Sequence, residues 1–393
     1  MTLRKILIHC PLPEGGIAEH AHYQAQALAD AGVAVTLLTC RGFLPLHHGK
    51  RYRQVDWLLA PYAQVRNAWL KRAWFALATL ANELVFALLI VGGRFRNVLL
   101  GATSETLALL WVWPHVVLRW AGVRYAANIH DPQRAQRSGL GWWHRWSVRA
   151  SFWPIRWGLI HEDFDTHQPQ IPPHVTCLRV PYGCYSARIR SDDGRALRAQ
   201  IAPAGPRRHV FLAFGYIADR KNIDACVRAI AEVPEGVLLV AGRVASRHDR
   251  QAQFYRDLAA ELGCAGRVHI FDGFVPEDMV AHYFAAADSV LLTYKPEFVS
   301  QSGVLLLASN WAKPVLASSG PGPLAETVRQ FDLGPVVPAD DVAAMTRAMQ
   351  QLVAQGHATD GWERFRQHAS WARNVAVLCA GLEGSSSGDG EGV

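Results

Sequence analysis

Short apolar runs alternate with stretches of helical periodicity along almost the whole chain. Ile6-Leu7-Ile8 reads as a strand, a glycine-rich turn follows, and Ile17, Ala21, Ala25 and Leu28 recur at helical spacing until Gly32 ends the run. Val33 to Thr39 is the next strand and completes a βαβ unit. The rhythm continues through Asn97-Val98-Leu99-Leu100, Tyr125 to Ile129, Trp157 to Ile160 and Val175 to Val180. Strands separated in this way by helices predict a parallel sheet covered on both faces.

Proline and glycine interrupt both periodicities at Ala202-Pro203-Ala204-Gly205-Pro206-Arg207-Arg208, which predicts a domain boundary there. The pattern restarts with Val210 to Phe214, Val237 to Val240, Val268 to Phe271, Ser289 to Leu292 and Pro314 to Ala317. The expected architecture is α/β, with two doubly wound parallel-sheet domains, residues 1–204 and 205–383. The last helical residues, around Trp362 to Gly381, are expected to cross back onto the first domain, and residues 384–393 form a tail rich in serine and glycine that reads as disordered. A length of 393 residues gives each half enough chain to bury its own core.

The apolar stretch Ala73 to Val91 is interrupted by Asn82 and Glu83, and neither half reaches the length of a bilayer crossing. It is expected to be a core or interfacial helix. Its flanking Lys71, Arg72, Arg94 and Arg96 suit a helix lying on anionic lipid. No signal-peptide pattern opens the sequence, so a cytoplasmic location is expected. The seven cysteines are scattered without metal-ligand spacing and read as reduced thiols.

Charge is unevenly divided. Residues 1–206 hold 23 basic and 12 acidic residues, the remainder 17 and 21. The basic half should face a membrane surface or a phosphorylated substrate; no zinc finger, RNP-like or recognition-helix signature accompanies it, so nucleic acid is not expected as a partner.

In open α/β sheets ligands bind beyond the carboxyl ends of the strands. Four loops there carry candidate chemistry. Gly15-Gly16-Ile17 offers free amides at a helix start, although it is not a GxGxxG dinucleotide fingerprint. His130-Asp131-Pro132 directly follows a strand and could act as a donor or an acid-base group. Gly215, followed by Arg220 and Lys221 at the next helix start, suits a diphosphate, because cations there oppose the helix dipole unless an anion is present. Ser302-Gly303-Val304, preceded by Glu297 and Gln301, presents further free amides beside a hydroxyl. Together they predict a phosphate-bearing ligand.

With these loops in this order the chain resembles the retaining GT-B glycosyltransferases of family four. The resemblance runs from Ile6 to about Val353 and rests on Gly15-Gly16-Ile17, Ile129-His130-Asp131, Phe214-Gly215 with Lys221-Asn222, Gly273-Phe274-Val275-Pro276, Ala287-Asp288, and Ser302-Gly303-Val304 with Lys313-Pro314-Val315. It implies that Gly16 approaches the diphosphate or sugar and that His130 contacts the transferred sugar. It further implies that Lys221 neutralises the diphosphate, that the Ser302, Gly303 and Val304 amides hold its phosphates, and that Phe274 and Val275 lie near the base. No cofactor and no metal ion is implied, because fixed cations and helix ends stabilise the departing nucleotide. A nucleotide sugar is the implied donor; the basic first half and the apolar stretch add a lipid-linked saccharide acceptor at a membrane.

Two positions depart from the family pattern. The second of its usual two glutamates is Leu307 here, in a subgroup-like Gln-Ser-Gly loop, and the arginine common after the third loop's glycine is Tyr216. Three other readings compete. Asp163-Phe164-Asp165 could hold manganese, as in single-domain metal-dependent glycosyltransferases, but would leave the second half without a role. A non-catalytic accessory protein and a nucleotide-sugar epimerase also suit such a fold.

Overall fold

The computed structural model describes residues 3–43, 49–61, 67–102, 105, 107–130, 141–161, 171–184, 194–202 and 208–384, with only the backbone of Ala68, Glu277 and Asp278. The chain packs as two units, Met1–Gly183 with Ala369–Val393, and Cys184–His368.

The first unit is built on a seven-stranded sheet, all parallel, of Lys5–His9 (β1), Ala34–Cys40 (β2), Arg53–Leu58 (β3), Asn97–Leu100 (β4), Arg124–Ile129 (β5), Ile155–Ile160 (β6) and Thr176–Arg179 (β7). Its order is β3-β2-β1-β4-β5-β6-β7, so the winding reverses between β1 and β4. The intervening helices are Gly16–Asp30 (α1), Ala68–Gly92 (α2), Ala108–Trp120 (α3) and Gly141–Ser151 (α4). β1 and β5 are apolar and almost wholly buried, as strands covered on both faces must be.

The second unit contains Arg195–Ile201 (α5), His209–Phe214 (β8), Ile223–Ala231 (α6), Gly236–Ala241 (β9), Ala252–Glu261 (α7), Val268–Phe271 (β10), Glu277–Ala286 (α8), Ser289–Thr293 (β11), Gly303–Ala308 (α9), Val315–Ser319 (β12), Pro323–Phe331 (α10), Val336–Pro338 (β13), Val342–Gln355 (α11) and Gly361–His368 (α12). Its sheet is again all parallel, in the order β10-β9-β8-β11-β12-β13, with the reversal between β8 and β11. The expected pair of doubly wound sheets is what the chain forms.

The division falls at Gly183/Cys184, upstream of the proline-glycine segment expected to mark it. The reason lies in α5. A Cβ on Gly194 would sit 2.5 Å from the Ala286 nitrogen, and Arg198 donates to the Ala286 carbonyl at 2.8 Å while pairing with Asp288 at 2.8 Å. These contacts fasten α5 to the second unit. At the other end, Trp371–Gly384 (α13) packs on α1 in the first unit, and Asn374 donates to the Pro181 carbonyl at 2.7 Å and accepts from Gln24 at 3.0 Å. Only its terminal Gly384 belongs to the serine- and glycine-rich tail; residues 385–393 lie outside the described residues.

The apolar stretch is not cut. α2 runs unbroken through Asn82 and Glu83, and Trp69–Gly92, with a mean hydropathy of 2.0, is long and apolar enough to cross a membrane by length and composition. The two polar residues point inward. Asn82 holds both the backbone N–H and the carbonyl of Leu59 at 2.8 Å, and Glu83 lies buried 3.2 Å from His115 Nε2. That leaves Leu77, Leu80, Leu84, Leu88 and Val91, spaced three or four residues apart, exposed as one apolar row. α3 likewise exposes Leu110, Trp113, Val117 and Trp120. All seven cysteines are free thiols.

Candidate functional site

The loops after β8 and β11 belong to neighbouring strands, so they meet at the reversal point of the second sheet. Gly215 lies at the end of β8 with φ +92. A Cβ there would lie 2.9 Å from Lys221 Nζ and 3.9 Å from Val304 Cγ2, so the third and fourth candidate loops are in contact through these residues. Lys221 turns back over the strand end, and its ammonium donates to the Phe214 carbonyl. Its own carbonyl accepts from Thr293 Oγ1 at 3.0 Å, and the Arg220 carbonyl accepts from the Lys295 N–H at 2.9 Å. The two loops are thus tied by main-chain bonds.

Burial, with a smaller contribution from the like charge of Arg220, lowers the Lys221 ammonium to about 7. A lysine held so close to neutrality next to free amides is poised for an anion, which would restore its charge. Arg220 is exposed beside it.

Ser302 precedes α9 but its side chain does not cap the helix; the hydroxyl instead pairs with Tyr294 OH at 2.8 Å. The first amides of α9, at Gly303 and Val304, therefore receive no side-chain cap and have no acceptor within the helix. Gln301 braces the loop, accepting from the Ser302 N–H at 3.0 Å and donating to Thr327 Oγ1 at 3.0 Å. Glu297 is exposed on the same loop, and Leu307 is half-buried on α9. Phe274 and Val275 lie between β10 and α8, and Phe274 is 66% exposed.

Two residues at this sheet edge were not singled out from the sequence. Gly242, at the end of β9 with φ +150, packs so tightly that a Cβ would lie 2.1 Å from the Gly215 carbonyl oxygen. Arg243 donates to Tyr216 OH at 3.2 Å and covers its ring at 5.3 Å. A guanidinium therefore does stand beside Tyr216, supplied by the next strand. Glycine after an apolar strand and arginine after it are too common to have marked the site alone.

In the first unit, Gly16 starts α1 and is exposed, and His130 follows β5 directly. His130 donates through Nε2 to the Gly101 carbonyl at 2.8 Å, and burial lowers its pKa. The neutral ring then keeps its lone pair on Nδ1, an acceptor rather than an acid. His20, one turn into α1, meets it edge to face with ring centroids 4.7 Å apart, and His161, after β6, stacks at 5.7 Å. Burial and the neighbouring His130 hold His161 down to about 3, and burial, with His130 and His161 beside it, lowers His20 well below the usual histidine range. Asp131 and Asp163-Phe164-Asp165 lie outside the described residues.

Residues 208–355 match the family model of the glycosyl transferases group 1, a span that contains Gly215, Lys221 and Ser302. Over 221 residues the chain is 28% identical to the lipopolysaccharide core biosynthesis mannosyltransferase LpcC of Rhizobium leguminosarum bv. viciae, covering 54% of this chain and 59% of that protein. Over 193 residues it is 30% identical to the GDP-mannose-dependent alpha-(1-6)-phosphatidylinositol monomannoside mannosyltransferase of Mycolicibacterium smegmatis, covering 46% and 48%. The matches thus span about half the length of these curated relatives. Among solved structures, Anabaena HepE in complex with UDP and glucose superposes with a TM-score of 0.70 at 15% identity, covering 98% of this chain and 100% of that one. The two all-parallel doubly wound units and this likeness identify the fold as GT-B.

Proposed function

We propose that the chain is a retaining glycosyltransferase that moves a hexose-type sugar from a UDP- or GDP-sugar to a lipid-linked saccharide, without a metal ion, in the synthesis of cell-surface polysaccharide. The observation that carries this reading is the convergence of Gly215, Lys221 and the uncapped start of α9 on the reversal point of the second sheet. The mannosyltransferase relatives and the group 1 match support the reaction class.

In this reading the donor diphosphate lies over Gly215, its charge met by Lys221 and Arg220 and by the Gly303 and Val304 amides. Phe274 and Val275 flank the base, and Arg243 supplies a further cation. Gly16 approaches the sugar, and His130 contacts it through the lone pair on Nδ1. The bond from the anomeric carbon to the diphosphate oxygen breaks while the acceptor oxygen bonds to that carbon on the same face. The acceptor proton passes to the departing diphosphate oxygen. Fixed positive groups aimed at the charge developing there stabilise the transition state.

A pH dependence follows from Lys221. In the free protein it loses its proton above about 7, whereas the diphosphate-bound form keeps it, so binding takes up a proton at higher pH. Donor affinity should fall by up to about tenfold per pH unit above pH 7 and stay level below it. Titration calorimetry in buffers of different ionisation enthalpy reads both the affinity and the proton; an affinity level from pH 7 to 9 contradicts the assignment.

The acceptor side of the proposal rests on the exposed rows of α2 and α3, flanked by exposed Lys71, Arg72, Arg94 and Arg96. We assign this face to the cytoplasmic surface of the plasma membrane, apolar rows in the acyl boundary and cations on anionic headgroups. Leu84→Glu with Leu88→Glu should weaken flotation with anionic vesicles at least about tenfold, since each leucine contributes roughly 1.5–3 kcal/mol on burial. Wild-type protein left unbound by such vesicles at low salt would rule this out.

A further inference from the structure

Three histidines from three elements of the first unit each bring a ring nitrogen within 4.8 Å of the other two: His20 of α1, His130 after β5 and His161 after β6. Their hydrogen bonds sort the ring nitrogens. A carbonyl oxygen can only accept, so the 2.8 Å contact from His130 Nε2 to Gly101 and the 3.1 Å contact from His161 Nδ1 to Val180 each fix a proton on the named nitrogen. The lone pairs left are on His130 Nδ1 and His161 Nε2, and the latter is buried without a partner. His20 is 1% exposed, and among the described residues neither of its ring nitrogens has a hydrogen-bond partner. Asn128 approaches that ring, but its amide engages Gln24 at both ends, donating at 2.8 Å and accepting at 3.4 Å.

A buried imidazole without a hydrogen bond, packed edge to face on two others whose protons are held by backbone carbonyls, has the makings of an ion site. The backbone carbonyls that fix the tautomers of His130 and His161 match the outer shell of a histidine metal site. Three neutral imidazoles, two of them half-buried, are a donor set that suits a borderline d-block dication of the Zn2+ class. A tetrahedron with Zn–N bonds of about 2.0–2.1 Å has edges of roughly 3.3 Å, so the rings must close by about an ångström.

We propose that His20, His130 and His161 form a Zn2+-class site, and that its occupancy takes the His130 lone pair from the sugar and so inhibits transfer. The second half rests on the function proposed above; the first half does not. The ion is therefore an inhibitor and no part of the reaction.

The test is a Co2+ titration of the full chain after chelator treatment, followed by visible absorption. One equivalent should bind with the intense d–d bands of a four-coordinate ion, and Zn2+ should bleach them. His20→Ala and His161→Ala should each abolish the bands and weaken Zn2+ binding at least a hundredfold, with circular dichroism reporting whether each remains folded. Weak octahedral bands, no bands, or bands that survive in both folded variants would overturn the site. If neither variant folds, the wild-type spectrum decides. Zn2+ should slow sugar transfer and a chelator should restore it; a Co2+ site in a protein that turns over no donor leaves the site standing and removes the function instead.

Discussion

Lys221→Met should lower kcat/KM for the donor by about 10²–10³-fold, the usual loss when one fixed group facing the developing charge of a transition state is removed. The lysine contacts the turn at Gly215, donates to the Phe214 carbonyl and holds a proton only up to about pH 7 in the free protein. Methionine keeps the length and the packing and loses the charge. Because burial disfavours the ammonium in the free protein, the substitution should leave the melting temperature nearly unchanged or raise it. The same substitution should also flatten the pH dependence of donor binding. Steady-state kinetics with the thermal melt separate a lost interaction from a lost fold; full activity in the variant would sink the assignment.

The second large effect is expected from a residue that acts through the Gly215 turn packed against it. Gly242→Ala puts a methyl 2.1 Å from the Gly215 carbonyl oxygen and 2.6 Å from its carbon, at a φ of +150 that alanine rarely adopts. Neither neighbour is a side chain that could swing away. The cost is on the order of 2–4 kcal/mol from overpacking and backbone strain, and part of it must be relieved by displacing the Gly215 turn. Donor affinity should therefore fall at least about tenfold along with the melting temperature. Gly266→Ala is the control, with nothing within 4 Å of its Cβ. A Gly242→Ala protein that melts and binds donor as the wild type does would show that the turn is not held in this way.

The sequence pattern resolved what periodicity can resolve. Buried strands such as β1, β8, β9 and β11 stand out by their uninterrupted apolar centres, and the helix starts at Gly16 and Gly303 follow from glycine and serine after β1 and β11. Two edge strands, β3 and β13, escape it. Arg53–Leu58 buries only Val55 and Leu58 among polar neighbours, and Val336–Pro338 is three residues long. The boundary was placed at the proline-glycine segment because composition marks interruptions of periodicity, whereas the unit to which α5 belongs is set by Arg198 reaching Ala286 and Asp288 far along the chain. The expected break at Asn82 and Glu83 does not occur for a related reason: the two find partners in Leu59 and His115, so their polarity orients the helix rather than ending it. At the candidate site, glycine and lysine beside a strand end were legible one by one. Gly242, Arg243, His20 and His161 matter through contacts between strands and helices that no local spacing encodes.

A nucleotide diphosphate sugar is proposed to bind the second unit through Gly215, Lys221 and the start of α9. The most direct test of this binding is the melting temperature of the full chain, in excess chelator, against a panel of UDP- and GDP-sugars. A donor present at about a hundred times its Kd stabilises the native state by roughly 2.7 kcal/mol, so at least one sugar should raise the melting temperature by several degrees in the wild type and fail to do so in Lys221→Met. No shift with any nucleotide sugar, or an equal shift in both proteins, would contradict the account.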